Sequence, residues 1–308
     1  MNITSLKTQL LSIVAALLIN CCLLFTAAAQ NTSKLISVDD ATLVSKIEKQ
    51  AETAMSDRNW VIDRLKNKIQ NLKEGDRVTA SLPKAATKLM SSEDIYEQRS
   101  KGVIMVGSYY NCGNCNKMHT SLASGAILND QGICVTNYHV LEKIIDAKQR
   151  AKAGDSLAFV STMDGRIFPI TDILAYTKIG DAAIFKIDTK GEKLSSIPLG
   201  QSAKTGARVH AITHPNGYHY FYSEGVVARN VSYATNGADG DRMEITADYA
   251  KGSSGGPILD SYGNLIGMVS TTSSIYYDEQ KGTNLQMVVK STIPVATIKR
   301  LFNGPQTT

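Results

Sequence analysis

Residues 250–259 read AKGSSGGPIL: two serines lie between glycines, and a proline ends the glycine run. A serine hydroxyl is a poor nucleophile unless a base removes its proton. It also needs backbone N–H groups that stabilise the oxyanion formed on the attacked carbonyl. Glycines permit the tight turn and the close substrate approach that this chemistry requires. Ser254 is therefore a candidate nucleophile, with the N–H groups of Gly252 and Ser254 as a candidate oxyanion hole. An ordinary glycine-serine loop before a strand is the alternative.

His139 is the best-placed base for such a serine. It follows a predicted strand and begins a predicted helix, which puts the imidazole at the rigid end of a strand. Asp181 precedes an apolar strand and could orient the imidazole and stabilise its cation. Taken singly, each has an ordinary alternative, a structural histidine or a turn aspartate. We interpret His214 and His219 as loop residues rather than ligands.

Three short motifs occur in the order His, Asp, Ser: TNYHV at 136–140, DAAI at 181–184 and GSSGGP at 252–257. Through these motifs, residues 95–303 resemble the chymotrypsin-fold (trypsin-like) serine peptidases. The resemblance is closest to the protease domain of secreted bacterial HtrA-type proteases. Those proteins usually carry PDZ domains after the protease, whereas this chain ends soon after Phe302, so we expect no PDZ domain here.

The expected fold is mainly β. After residue 101 many short strands alternate with Gly, Asn and Asp turns, which favours an antiparallel sandwich or barrel. The resemblance implies two perpendicular six-stranded antiparallel β-barrels, chymotrypsin-like, preceded by an N-terminal helical extension. The expected domains are a signal peptide (1–29), the helical extension and linker (30–94), a first barrel carrying His139 and Asp181 (95–195), and a second barrel carrying Ser254 with a C-terminal helix (196–308).

The resemblance also implies a function. The chain would be a serine endopeptidase that hydrolyses protein or peptide substrates through an acyl-enzyme, without a cofactor. Asp248 lies at the offset where trypsin-like members carry an Asp that selects basic side chains, although this loop could be built differently. The other wall of the substrate pocket would come from Ser270, Thr271 and Thr272. Two alternatives stay open: a non-catalytic protease-fold binding protein and a thiol–disulfide protein.

The first 29 residues predict a secretory signal. Lys7 precedes an apolar stretch, and small residues at 26–29 follow it, with cleavage expected after Ala29. A membrane anchor, or a lipoprotein acylated at Cys21, are the alternatives. Cleavage would leave a secreted or periplasmic protein without a membrane segment. The net charge of +5 is spread along 308 residues, and such a distribution gives no case for nucleic-acid binding.

An apolar stripe recurs at helical spacing between residues 43 and 72, which predicts one long helix ending near Gly75. Ser37 and Asp40 resemble a capping box at its start. The helix should pack on the main domain. A homo-oligomer formed through it, or an inhibitory pro-segment, are the alternatives.

The stretch NCGNCNKMH at 111–119 is an insertion relative to the HtrA-type pattern. Cys112 and Cys115 could form a disulfide in an oxidising compartment. Alternatively, Cys112, Cys115 and His119 could ligate a structural metal ion, with Cys134 as an unsupported fourth ligand. Redox catalysis is disfavoured because no βαβ pattern surrounds the cysteines.

Overall fold

The computed structural model describes residues 35–57, 60, 62–113, 115–145 and 156–304, and only the backbone of Ala234. The chain divides into two compact units, Met1–Ser37 and Val38–Thr308. Of the first unit, residues 35–37 are described and form neither helix nor strand. The predicted signal peptide and Cys21 lie outside the described part, as do residues 146–150, to which we expect the helix after His139 to extend. No helix within that part is long and apolar enough to cross a membrane.

The second unit contains two closed antiparallel barrels of six strands each, as the sequence predicts. The fold is therefore mainly β and chymotrypsin-like, with N-terminal helices. The first barrel has the strand order β1-β2-β3-β6-β5-β4. Its strands are β1 (Val103–Asn111), β2 (Met118–Ile127), β3 (Ile133–Thr136), β4 (Ser156–Ser161), β5 (Ile167–Thr177) and β6 (Ala182–Ile187).

The second barrel has the strand order β10-β11-β12-β9-β8-β7. Its strands are β7 (Arg208–Thr213), β8 (Phe221–Val231), β9 (Arg242–Ile245), β10 (Pro257–Leu259), β11 (Leu265–Asp278) and β12 (Thr283–Pro294). The helices of the described part are α1 (Asp40–Ala54), α2 (Asp63–Asn71), α3 (Ser92–Arg99), α4 (Tyr138–Ile145) and α5 (Val295–Arg300).

Both faces of the first barrel's sheet are buried. On β1, Val103 and Met105 belong to a core that also includes residues of α1, α5 and the second barrel. Ile104 and Val106 belong to a separate core that includes residues of α4 and Leu65 of α2. Alternate residues of a strand point to opposite faces. One face of the sheet therefore packs with α1, α5 and the second barrel, and the other face packs with α2 and α4.

The prediction of one long helix over residues 43–72 is wrong. The structure has α1 and α2 instead, with Trp60 and Ile62 buried between them. The Ile62 N–H donates to the carbonyl of Ser156 on β4, 3.2 Å away, rather than to a helical carbonyl. The apolar residues of α1 and α2 pack into different cores, so the chain has to turn between them.

The start of α1 also differs from the prediction. Asp39 caps the helix, because its carboxylate accepts from the Thr42 N–H at 3.0 Å and from the Thr42 hydroxyl at 2.7 Å. Asp40, the expected partner of Ser37, instead accepts from the His219 N–H at 3.0 Å. Aspartate is as good a cap as serine. Whether Ser37 or Asp39 caps the helix therefore depends on the tertiary contact between Asp40 and His219.

Candidate active site

His139 and Asp181 are brought together by strand pairing. Strands β3 and β6 are neighbours, with Thr136 opposite Ala183. His139 lies in the first turn of α4, just after β3, and Asp181 lies in the turn just before β6. The ends of the two paired strands therefore place both side chains at one edge of the first barrel, although 42 residues separate them.

The Asp181 carboxylate faces the imidazole directly. Both of its oxygens lie 3.0 Å from His139 Nδ1, and Oδ1 also accepts from the His139 backbone N–H at 3.1 Å. Ser270 Oγ donates to Oδ2 at 2.9 Å. Asp181 has φ +46°, a region that non-glycine residues occupy at a cost. Asn137 Nδ2 donates to the Asp181 carbonyl at 2.9 Å and supports this conformation.

The turn around Ser254 requires glycine at two positions. Gly252 has φ +99° and Gly255 has φ +82°. A Cβ on Gly252 would lie 2.6 Å from the His214 carbonyl oxygen, and one on Gly255 would lie 2.2 Å from Thr136 Oγ1. Both distances are too short for a side chain. Gly252 and Gly255 are therefore required by their backbone conformation and by close contacts, as in a tight turn.

The serine turn is attached to the first barrel through Ser124 of β2. The Ser124 N–H donates to the Ser254 carbonyl at 2.9 Å, and Ser124 Oγ donates to the Gly252 carbonyl at 3.1 Å. Within the second barrel, Ser253 Oγ lies 3.1 Å from Thr213 Oγ1 and is fully buried. The candidate nucleophile thus belongs to the second barrel but is positioned by bonds to both barrels.

The peptide between Lys251 and Gly252 has a fixed orientation. The Lys251 carbonyl accepts from the Asn216 N–H at 2.7 Å. In a trans peptide the carbonyl and the following N–H point in opposite directions. The Gly252 N–H therefore points away from Asn216.

His139, Gly252 and Ser254 line one cavity of about 530 Å³. Helix α1 forms part of the same cavity through Val44 and Glu48. The sequence reasoning missed this contribution. In the sequence, both residues lie beside the buried apolar stripe of α1 rather than opposite it. That position does not tell which part of the protein they face.

His214 and His219 also line this cavity, although the sequence favoured a plain loop role. Their rings are 5.6 Å apart, and Nδ1 of His214 accepts from the Tyr220 N–H at 3.0 Å. Burial, together with the neighbouring His219, lowers the pKa of His214 from 6.5 to about 3. Burial likewise lowers the pKa of His219. Two neutral imidazole rings therefore line this part of the cavity.

None of the four residues predicted to form the substrate pocket lines the described cavity that contains Ser254. Ser270 contacts Asp181, a role that the sequence did not indicate. Thr271 and Thr272 are exposed on β11, paired with β12. The Asp248 side chain is 78% exposed and lies 2.8 Å from Lys290 Nζ. Its selection of basic side chains stays a prediction.

The cysteine loop connects β1 to β2. Cys112 Sγ lies 3.4 Å from Cys115 Sγ, which in turn lies 3.1 Å from His119 Nε2. No disulfide joins the two sulfurs. Cys134 lies elsewhere: it is buried on β3 and pairs with Ile127 at the opposite end of β2, so it is not a fourth ligand.

Two closed six-stranded barrels with this His–Asp pair and serine turn define a chymotrypsin-like protein. Residues 123–268 match the family model of the trypsin-like peptidase domain.

Several curated relatives are named as serine proteases of the Do-like or Deg type. Protease Do-like 5, chloroplastic, of Arabidopsis thaliana is 31% identical over 58% of this chain and 54% of its own length. The putative serine protease HhoA of Synechocystis is 32% identical over 47% of this chain and 35% of its own. Serine endoprotease DegS of Salmonella typhimurium is 27% identical over 48% and 39%. The chain spans about half the length, or less, of the relatives it matches.

Proposed function

We propose that this chain is a serine endopeptidase with Ser254 as nucleophile, His139 as base and Asp181 as the group that orients His139. The observation that carries the proposal is the contact between the Asp181 carboxylate and His139 Nδ1 at 3.0 Å, at the edge of the cavity that Ser254 also lines. The trypsin-like peptidase domain matched by residues 123–268 includes all three residues.

The chemistry follows from the proton on the imidazole. The Asp181 carboxylate can only accept, so the proton lies on Nδ1 and leaves a lone pair on Nε2. Nε2 takes the Ser254 proton as Oγ attacks the scissile carbonyl carbon. The resulting imidazolium, stabilised by Asp181, then protonates the leaving amine as the C–N bond breaks. Water activated by the same nitrogen hydrolyses the acyl-enzyme.

The N–H groups of Gly252 and Ser254 would bind the oxyanion in both steps. The fixed orientation of the 251–252 peptide supports this role. Because Asn216 holds the Lys251 carbonyl, the direction of the Gly252 N–H is fixed in the free protein. Preorganised donors of this kind stabilise the transition state without a reorganisation cost.

We also propose that the protein acts outside the cytoplasm, after removal of residues 1–29, on protein or peptide substrates. A DegP-like relative from Halomonas elongata is described as a probable periplasmic serine endoprotease, which supports an extracytoplasmic site. Mass spectrometry of the protein from its native source should find Gln30 as the first residue; a mass that retains residues 1–29, or a lipid on Cys21, would contradict this processing. A homo-oligomer formed through the N-terminal helix stays a prediction. The apolar stripe of α1 is buried within the chain's own core.

Labelling with a fluorophosphonate probe tests the peptidase proposal. Such probes phosphonylate a serine only when a base activates it. We expect one label per chain, located at Ser254 by mass spectrometry and lost in Ser254→Ala and His139→Ala. Ser273→Ala, which changes an exposed serine of β11, is the matched control and should be labelled like the wild type. Absence of label in the folded wild type, or unchanged labelling of His139→Ala, would overturn the proposal and favour a non-catalytic binding protein.

A further inference from the structure

We propose that Cys112, Cys115 and His119 bind one zinc ion at the tip of the β1–β2 hairpin. Their ligand atoms, two sulfurs and one ring nitrogen, all lie within 4.8 Å of one another. The site is separate from the serine turn, and the proposal does not depend on peptidase activity.

The separations are close to those of zinc ligands. With Zn–S about 2.3 Å and Zn–N about 2.0 Å, tetrahedral geometry puts two sulfurs about 3.8 Å apart and a sulfur and a nitrogen about 3.5 Å apart. The observed separations are 3.4 Å between the sulfurs and 3.1 Å between Cys115 Sγ and His119 Nε2. Shifts of about half an ångström in the side chains would seat the ion.

The hairpin backbone builds the cluster. His119 on β2 lies opposite Tyr110 on β1, and their rings are 5.8 Å apart. Cys112 follows the end of β1, where the Gly113 N–H donates to Asn111 Oδ1 at 2.7 Å and Gly113 adopts φ +73°. This turn folds Cys115 back toward His119. The three ligands are therefore assembled by local backbone geometry rather than by distant parts of the chain.

The donor set favours zinc over the hard cations. Thiolate and imidazole suit zinc, whereas calcium and magnesium require oxygen ligands. A disulfide needs the two sulfurs about 2.05 Å apart. It would not account for the contact between Cys115 and His119. Three protein ligands leave a fourth position, and Cys115 is exposed, so water can complete the tetrahedron.

Metal binding would order one border of the cleft. Tyr110, against the His119 ring, and Thr120, next to His119, both line the cavity that contains His139 and Ser254. An ion bound to His119 would fix its imidazole ring. It would thereby also fix the end of the β1–β2 hairpin, from which this wall of the cleft extends.

Cobalt(II) titration of the full chain, reduced and stripped of metal, tests the proposal. We expect thiolate-to-cobalt charge-transfer and tetrahedral ligand-field bands that saturate at one ion per chain and disappear when zinc is added. Cys112→Ser, Cys115→Ser and His119→Gln should each weaken binding by at least about 10-fold. Cys134→Ala, which removes a thiol outside the cluster, is the matched control and should bind like the wild type.

Two results would overturn the zinc site. One is a reduced, folded chain that gives no thiolate–cobalt band. The other is stoichiometric binding that none of the three ligand variants weakens. Thiol counts before and after reduction accompany the titration, so that an oxidised Cys112–Cys115 pair is reduced before the result is scored.

Discussion

Ser270 limits how the Asp181 carboxylate can rotate. Its hydroxyl donates to Oδ2, while the His139 backbone N–H donates to Oδ1. With both oxygens held, the carboxylate stays directed at Nδ1. Ser270 does not touch the reacting atoms, so it is a positioning residue that acts through Asp181.

We predict that Ser270→Ala lowers kcat about 10-fold, the equivalent of one hydrogen bond to a charged group, with little change in KM. The free energy of unfolding should change by about 1 kcal/mol, because one hydrogen bond of a small side chain is lost. Steady-state kinetics and urea unfolding measure the two effects. Ser270→Thr keeps the donor and should restore part of the rate. An unchanged kcat in Ser270→Ala would remove Ser270 from this role.

His214 gives the protein a pH-dependent stability. Its pKa is about 3 when folded and about 6.5 when unfolded. Between these values the unfolded chain binds a proton that the folded chain does not, so stability falls as pH falls through this window. The loss is up to about 1.4 kcal/mol per pH unit.

We therefore predict that His214→Asn flattens the decline of stability between about pH 6 and pH 4. Asparagine is not titrated, and its side-chain oxygen can still accept from the Tyr220 N–H. Urea unfolding at several pH values provides the slopes. Parallel pH profiles for wild type and variant would show that His214 does not cause the decline.

At this scale the sequence singles out the candidate triad but does not indicate the contacts around it. His139, Asp181 and Ser254 each stand in a short local motif, so their identity is readable without the fold. The contact of Ser270 with Asp181 joins the two barrels across 89 residues, and no local pattern encodes it. The same holds for the burial of His214.

Helix α1 adds an acidic side chain to the cleft. Its residues Leu43, Ile47 and Ala51 are buried in the core, while Glu48 accepts from Thr120 Oγ1 at 2.8 Å beside the cavity. Of the described residues that line the cavity, Glu48 alone carries a carboxylate. The helix therefore brings a negative charge to a wall that also contains Lys143 and Lys251.

We predict that Glu48→Gln raises KM about 2- to 5-fold for peptides whose Lys or Arg side chain contacts this wall, with kcat unchanged. This change in KM corresponds to the free energy of one partly exposed charge pair. Glu52→Gln, on the exposed side of the same helix, is the control with the same change in charge. Kinetics on peptides that differ only in Lys or norleucine would measure the effect; equal KM changes for both peptides would contradict it.

The apolar periodicity predicted helical structure over residues 43–72 but not the break. Each half of the stripe is consistent with one straight helix. Only the presence of two cores on opposite faces of the barrel sheet decides that the chain must turn at Trp60.

Across the whole molecule, Asp239 links the two barrels. It lies between β8 and β9 of the second barrel and accepts from Thr177 Oγ1 of β5 at 2.8 Å. Arg300 of α5 also donates to it, with Nη2 at 2.6 Å and Nε at 2.9 Å. One carboxylate therefore joins the first barrel, the second barrel and the C-terminal helix.

We predict that Asp239→Ala lowers the free energy of unfolding by about 1–2 kcal/mol, because Arg300 and Thr177 lose their shared acceptor. Asp278→Ala breaks an exposed pair with Lys281 and should cost less than about 0.5 kcal/mol. Urea unfolding compares the two variants. Equal small losses would mean that Asp239 adds nothing to the contact between the barrels.

The two-barrel architecture could be predicted because the three motifs resemble a known family and the strand pattern agrees with it. The attachment of residues 38–75 to the barrels could not be, because that segment lies outside the resemblance. Its position depends on contacts with residues far along the chain, such as Ser156 and His219.

Trp60, the chain's single tryptophan, is 5% exposed at the turn between α1 and α2. Its ring lies 5.1 Å from Lys190 Nζ, and its Nε1 donates to Asp57 Oδ2 at 3.2 Å. Tryptophan fluorescence therefore reports on one place only, the attachment of the N-terminal helices. A red shift of the emission that precedes the loss of β circular dichroism would mean that these helices detach while the barrels stay folded. Coincident transitions would mean that helices and barrels melt as one cooperative unit.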